Sequence, residues 1–330
     1  MTFVKSISVL DTSIVTQNIG DEIIMDAVYS QLHEVFKDKL FVKIPTHEII
    51  GLSGLSLIRN SQFGIVGGSN ILSSAMNKYR QWKITLFQSL FIKQKIILLG
   101  VGWRDYQTRP NIVTRLLLKN LLNRNMLHSV RDSYTESKLR NIGFSNIINT
   151  SCPTMWNFTP QYCDKIPKTK SDTVVFTLTD YSKNIELDLF LINFLLEHYT
   201  NVYFWVQGRG DLNYLNELNV EIDRIKIVPP TLHAYTEFLE FTHCDYIGTR
   251  LHGGIRALQK NRRTIIVGID NRAIEKKKDF NLNVIERKDL KIGLMKLVTE
   301  DLPTQIRIPL ENINLWKNQF IQNDGNKSVS

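Results

Sequence analysis

Apolar positions along the chain follow two rhythms. Short β-branched runs read as strands: SISVL, LFVKIP, FGIVGG, KIILLGVG, HSVRD and NIINTS in the first half. Between them DEIIMDAVYSQLHEVF and SYTESKLRNIG carry apolar residues at helical spacing. The second half repeats the alternation. TVVFTLT precedes ELDLFLINFLLEHY, VYFWVQG precedes LNYLNEL, and IKIVPP precedes LHAYTEFLEFTHC. DYIGT then precedes GIRALQK, and TIIVGID precedes AIEKKKDF. Strand and helix in turn predict parallel sheets with helices on both faces. Around NFTPQYCDKIPKTKSD the pattern lapses into Pro, Lys, Thr and Asp. The prediction is therefore α/β, with two facing doubly wound, Rossmann-like domains. One covers 1–155, a linker covers 156–172, and the second covers 173–330. The second is expected to include a closing amphipathic helix in ENINLWKNQFIQ and a frayed tail, NDGNKSVS. In such sheets ligands bind beyond the C-terminal strand ends, so a cleft shared by the domains is the expected site.

A chain of 330 residues is longer than one core usually organises, which agrees with two domains. The three cysteines, Cys152, Cys163 and Cys244, are too scattered for a metal pattern or a disulfide framework, and a reducing cytoplasm fits them best. The first residues, MTFVKSISVLDTS, read as a first strand rather than a signal peptide. No stretch approaches the ~20 apolar residues of a membrane span. The net charge of +9 is unevenly placed. Residues 1–150 hold 18 basic and 10 acidic side chains, whereas 151–330 hold 23 and 22. Within 78–124 there are ten basic residues and one acid, interleaved with Trp82, Phe87, Phe91 and leucines. Such a stretch suits an anionic membrane surface or a phosphorylated ligand, or else is a solvated face over a core stripe. No nucleic-acid motif accompanies it, so nucleic acid is not expected as a partner.

Four strand-to-helix corners carry polar groups where a ligand would lie. In TQNIGDEI, Asn18 and Asp21 bracket a glycine before a helix; an N-cap with a turn glycine explains Asp21 equally well. In GIVGGSNIL, the glycines ending at Gly68, with Ser69 and Asn70, let backbone N–H groups approach an anion or sugar, or form a plain tight turn. In HSVRDSYTESKL, Arg131 ends an apolar run and precedes two good caps; a salt bridge to its neighbour is the ordinary alternative. The fourth corner, GTRLHGGIRALQK, combines most. Arg250 can grip a carboxylate or phosphate with two parallel bonds. His252 has a proton that moves near neutrality. Leu251 lies between them, and Gly253 and Gly254 admit a ligand close to the helix N-terminus. A capping role for His252 is the plainer reading.

These landmarks, RLHGGIRAL followed by VGIDNRAIEKKKDFNL, with QNIGDEII, GIVGGSNIL, SVRDSYTESKLRNIG and the TSCPT turn in the same order, resemble the polysaccharide pyruvyl transferase family over nearly the whole chain. One departure follows the last strand, where Ile269 and Asp270 stand for a tyrosine–aspartate pair and Arg272 stands near a lysine position. The resemblance implies a fold like that of the GT-B glycosyltransferases. It implies transfer of a pyruvyl group from phosphoenolpyruvate to a sugar of a polysaccharide or its precursor, in exopolysaccharide or capsule synthesis, as a cyclic ketal. Phosphoenolpyruvate is then the donor substrate, with no further cofactor and no metal. Arg131 and Arg250 match the family positions for the donor, with Leu251, Gly253 and Gly254 beside them; His252 is the candidate acid, assisted by Arg250. Asn18, Asp21, Gly68, Ser69 and Asn70 are the expected acceptor contacts. A lipid-linked acceptor would place the protein in the cytoplasm, peripheral on the inner face of the cytoplasmic membrane, and a homo-oligomer is compatible with the pattern. The rivals are a nucleotide-sugar glycosyltransferase of the same fold and a non-catalytic sugar- or anion-binding protein.

Overall fold

A computed structural model describes residues 5–325. The chain divides into two compact units. The first contains residues up to Thr16, then Ile24–Trp156, and the C-terminal segment from Ile308. The second contains Gln17–Ile23 and Asn157–Arg307.

In the first unit β1 (Ser6–Asp11), β2 (Leu40–Pro45), β3 (Gly64–Gly67) and β4 (Ile96–Leu99) form a parallel sheet in the order β2-β1-β3-β4. A parallel pair, β5 (His128–Val130) and β6 (Ile147–Asn149), extends it beyond β4. The seam between β4 and β5 relies partly on side chains. The Leu98 N–H donates to His128 Nδ1 at 3.2 Å, and the Gly100 N–H donates to Ser129 Oγ at 2.8 Å and to the Ser129 carbonyl at 3.0 Å. His128 Nε2 lies 2.7 Å from the Asn123 carbonyl, so the ring is neutral with its proton on Nε2. The helices are α1 (Ile19–Val35), α2 (Leu52–Asn60), α3 (Leu86–Ile92), α4 (Ile112–Leu121) and α5 (Ser133–Ile142). Helix α5 starts on the Asp132 cap and stops at Gly143, whose φ of 105° is left-handed backbone that glycine adopts without strain.

The second unit opens with α6 (Pro160–Cys163) and has six parallel strands: β7 (Thr173–Thr177), β8 (Asn201–Trp205), β9 (Ile225–Val228), β10 (Asp245–Gly248), β11 (Thr264–Gly268) and β12 (Val284–Glu286). Their order is β12-β11-β10-β7-β8-β9, with a continuous backbone ladder. This is the doubly wound order, and the winding reverses between β7 and β10. Helices α7 (Ile185–His198), α8 (Asp211–Glu217), α9 (Leu232–Phe241), α10 (Leu251–Gln259), α11 (Asn271–Phe280) and α12 (Leu290–Thr299) connect and follow the strands. A buried ion pair braces the sheet: Arg263 meets Asp245 at 2.9 Å, and its other N–H groups donate to the carbonyls of Lys168, Leu297 and Val298.

Three expectations need correction. The closing helix, α13 (Leu310–Gly325), belongs to the first unit, not the second. Its amphipathic pattern announces a buried face but not the partner; Ile313, Trp316 and Phe320 pack with Phe36, Phe63 and Trp156. The stretch 156–172 is not an open linker. Phe158, Cys163 and Ile166 are buried, and the Tyr162 hydroxyl donates to the Leu258 carbonyl at 3.3 Å. Of the expected tail, 326–330 lie outside the described residues, as does the start of the N-terminal stretch, and residues up to Gly325 continue α13. Among the described residues no helix is long and apolar enough to cross a membrane.

Candidate functional site

Because the strands of the second unit are parallel, their C-terminal ends lie along one edge, and the reversal between β7 and β10 marks the point on that edge where sheets of this kind hold ligands. Arg250 stands at that point as the N-cap residue of α10, two positions past the end of β10. It is buried, and its guanidinium is already engaged. Nε donates to the Leu178 carbonyl at 3.1 Å and to Asp211 Oδ2 at 3.0 Å. Nη2 donates to Asp211 Oδ1 and, at 2.9 Å, to Asp180 Oδ1. Burial works against the Arg250 charge, but Asp211, with smaller help from Tyr181 and Asp180, holds its pKa above the ordinary value. Asp211 is fully buried and also accepts the Gly208 N–H at 2.7 Å and the Asp180 N–H at 3.2 Å. The side chain of Asp180 is 33 % exposed. The fork expected to be open to a donor is thus closed on two carboxylates from the corners after β7 and β8.

Two glycines make that closure fit. A Cβ on Gly208 would lie 2.1 Å from Arg250 Nη2, and one on Gly210 would lie 2.3 Å from Asp180 Oδ2. Tyr181 joins the group to the next corner. Its ring lies 5.0 Å from the Arg250 guanidinium, and its hydroxyl accepts from Arg272 Nη2 at 2.6 Å. Arg272 also donates to Asp270, the N-cap of α11, at 2.9 Å. His252 is buried in the first turn of α10, two residues beyond Arg250. Gly253 and Gly254 have a packing role where α10 meets the sheet. Cβ atoms there would meet Gln207 Oε1 at 3.0 Å and Ile266 Cγ1 at 2.7 Å, so the space is filled by neighbours that α10 packs against. Leu251 is buried beside them.

Asn18 and Asp21 also fall in the second unit, not in the domain of residues 1–155 in which the sequence placed them. Asn18 pairs with Gly208 as an isolated bridge, and its Oδ1 accepts Gln207 Nε2 at 2.8 Å and the Gly20 N–H at 3.1 Å. Asn18 therefore caps α1, while Asp21 is a buried residue of its first turn.

The other expected residues form a separate group at the strand ends of the first unit. Arg131, directly after β5, donates from Nε to Asp132 at 2.9 Å and from Nη2 to the Trp103 carbonyl at 3.4 Å. A Cβ on Gly102 would lie 2.0 Å from Arg131 Nε, so that position must stay bare. Burial pushes the Asp132 pKa up, but Arg131 and the bonds from Thr135 outweigh it and hold it below the usual range. Gly102 in turn donates to the Ser69 carbonyl at 2.9 Å. Gly68 and Ser69 both have left-handed φ, 54° and 60°, and a Cβ on Gly68 would lie 2.0 Å from Ile24 Cγ2. The glycine there serves the turn and α1 as much as any ligand. At the ends of β1 and β3, Thr12 Oγ1 and Asn70 Oδ1 are buried with no protein partner.

The sequence reading missed Asp180, Asp211 and Gln207. For Gln207 and Asp211 the one local signal is QGRGD after β8, where two glycines frame a turn before a buried acid; Asp180 has none.

Two α/β units, each with a parallel sheet and connecting helices, define a two-domain, Rossmann-like α/β fold of the GT-B type. The comparisons agree. UDP-N-acetylglucosamine 2-epimerase from Rickettsia bellii matches with a TM-score of 0.57 at 11% identity, over 99% of both chains. The Methanocaldococcus jannaschii UDP-GlcNAc 2-epimerase, solved with UDP-GlcNAc and UDP, matches with a TM-score of 0.57 at 12% identity, over 98% of this chain and 100% of that one. S. aureus MnaA, solved with UDP, gives 0.54 at 13% identity over 89% of each chain. At such identities the likeness is one of fold alone. No curated protein matches the chain in sequence. Residues 18–271 match the family model for polysaccharide pyruvyl transferase, and the chain belongs to that family.

Proposed function

We propose that the protein moves the pyruvyl group of phosphoenolpyruvate onto a sugar of a polysaccharide or its precursor, as a cyclic ketal, with release of phosphate. The observation that carries this reading is the family match across the corner that puts Arg250 and His252 two residues apart at the sheet's switch point. Protonation of the donor's methylene carbon makes C2 electrophilic, and His252 is the acid. One sugar hydroxyl attacks C2, the phosphate leaves, and a second hydroxyl of the same sugar closes the ketal. The two hydroxyl protons balance the proton gained by carbon and the one carried by phosphate. No cofactor beyond the donor is required.

Arg250 serves the donor by exchange. Asp180, partly exposed and joined to Arg250 by one bond, gives way to the donor's carboxylate or phosphate. Asp211, fully buried and joined through both of its oxygens, stays and holds the guanidinium plane. Gly68, Ser69 and Asn70 serve the acceptor, where the buried Oδ1 of Asn70 would accept a sugar hydroxyl. Phosphate release from phosphoenolpyruvate across a panel of nitrophenyl and lipid-linked sugars tests the reaction. Arg250→Lys is expected to cripple it, since an ammonium cannot reproduce the planar fork. Donor binding with no phosphate release on any acceptor would favour a binding protein instead.

A further inference from the structure

In the first unit, the segment before α2 is strapped to the segment before α3. The Lys83 N–H donates to the Thr46 carbonyl at 2.9 Å, and Gln88 Nε2 donates to the Ile50 carbonyl at 2.6 Å. Gln88 and Thr85 also form a reciprocal capping box at the start of α3. The result is a fixed groove of about 510 Å³, lined by Leu52, Leu55 and Arg59 of α2 and by Phe87, Gln88 and Phe91 of α3. Its apolar walls face outward: Leu52 is 86 % exposed and Phe87 69 %, with Phe91 stacked edge-on against Phe87 at 5.0 Å. A second depression adjoins it through residues 48–50 and is lined by Ile49, Arg80, Lys83 and one acid, Glu48. From residue 49 to residue 124 the chain holds eleven basic side chains and a single acid, Asp105.

We propose that this face docks the protein on an anionic lipid bilayer, with Leu52, Phe87 and Phe91 entering the acyl boundary and Arg59, Arg80 and Lys83 meeting lipid phosphates. Apolar tips beside exposed cations, with no spanning helix among the described residues, are the arrangement of an interfacial anchor. A soluble anion would use the cations and leave the aromatic tips in water. A second copy would bring two like-charged basic faces together, which opposes association. The proposal does not depend on the donor or acceptor chemistry.

Flotation with vesicles of phosphatidylcholine, with and without phosphatidylglycerol, tests it on the full chain. Binding is expected with anionic vesicles at low salt, and loss at high salt. Removing one cation should weaken partition about fivefold, so Arg80→Gln with Lys83→Gln should weaken it roughly 30-fold. Phe87→Ser with Phe91→Ser should weaken it at least about tenfold at unchanged charge, with thermal unfolding run alongside to show that both variants fold. Failure to float with anionic vesicles at low salt overturns the proposal, as does flotation indifferent to the two Phe changes. A dimer in sedimentation that dissociates on Phe87→Ser would assign the groove to a second copy and overturn it too.

Discussion

Arg131 and Arg250 each follow a parallel strand within two residues, and each is buried, yet their charges are met differently. Arg131 has one carboxylate, Asp132, whose other oxygen caps α5 through Thr135 at 2.8 Å. Taking Asp132 away from its arginine disturbs a helix start. Arg250 has two carboxylates from two other corners, one buried and one partly exposed. The exchange proposed for Arg250 needs a partner that can be given up without loss of the other, and among the described residues Arg131 has no such second carboxylate. The seams of the two sheets differ likewise. Backbone ladders run through all six strands of the second, whereas the seam between β4 and β5 in the first adds side-chain bonds from His128 and Ser129 to a few backbone ones.

The largest effect is expected at the reactive corner. His252→Gln should lower turnover by about 10²–10⁴-fold while donor affinity survives. Turnover at the wild-type rate in a folded variant would make the corner of the second unit scaffold, like that of the first. Next come the carboxylates, read by urea unfolding. Asp211→Ala and Asp132→Ala each strand a buried cation and should cost about 3–5 kcal/mol. Asp180→Asn should cost less than about 1 kcal/mol, because its side chain reaches solvent. Equal losses for Asp180 and Asp211 would end the idea that one partner is exchangeable.

The sheet seams give a pH test. Burial lowers the pKa of His128 to about 4, from an ordinary value near 6.5, opposed in part by the bond to the Asn123 carbonyl. As pH falls, the unfolded chain takes up this proton first. Stability should decline from about pH 6.5 downward and level off near pH 4, by about 3 kcal/mol in all. His128→Gln should flatten this part of the profile, and an unchanged slope would assign it to other groups. Last come the glycines under the two guanidiniums. Gly208→Ala and Gly102→Ala should each cost about 1–3 kcal/mol by crowding. If Gly208→Ala also weakens donor use while Gly102→Ala does not, the two corners differ as argued.

Much of the scaffold is legible in the sequence because burial on both faces of a parallel sheet leaves continuous apolar runs such as TVVFTLT and TIIVGID, and β7 and β11 fall on them. Arg250 and His252 could be singled out because they share one corner. Their surroundings could not. Asp180 and Asp211 lie 31 positions apart, and each looks alone like a turn acid. The unit to which a segment belongs was equally hidden. Residues 17–23 precede the first-unit part of α1 in sequence, but Gln17, Asn18 and Ile19 pair with 207–209, mainly through backbone bonds. Helices α2 and α3 escaped for another reason: with nine and seven residues, each is too short for helical spacing to stand out.

The return of α13 to the first unit has a consequence for biosynthesis. On the ribosome, residues 157–307 of the second unit emerge before the segment that supplies Ile313, Trp316 and Phe320 to the first. Domains usually mature in the order of synthesis. Here the unit begun first is finished last, and until then Phe36, Phe63 and Trp156 lack their covering residues. A nascent chain stalled anywhere before residue 313 would therefore present that aromatic surface to chaperones, even with its second sheet complete.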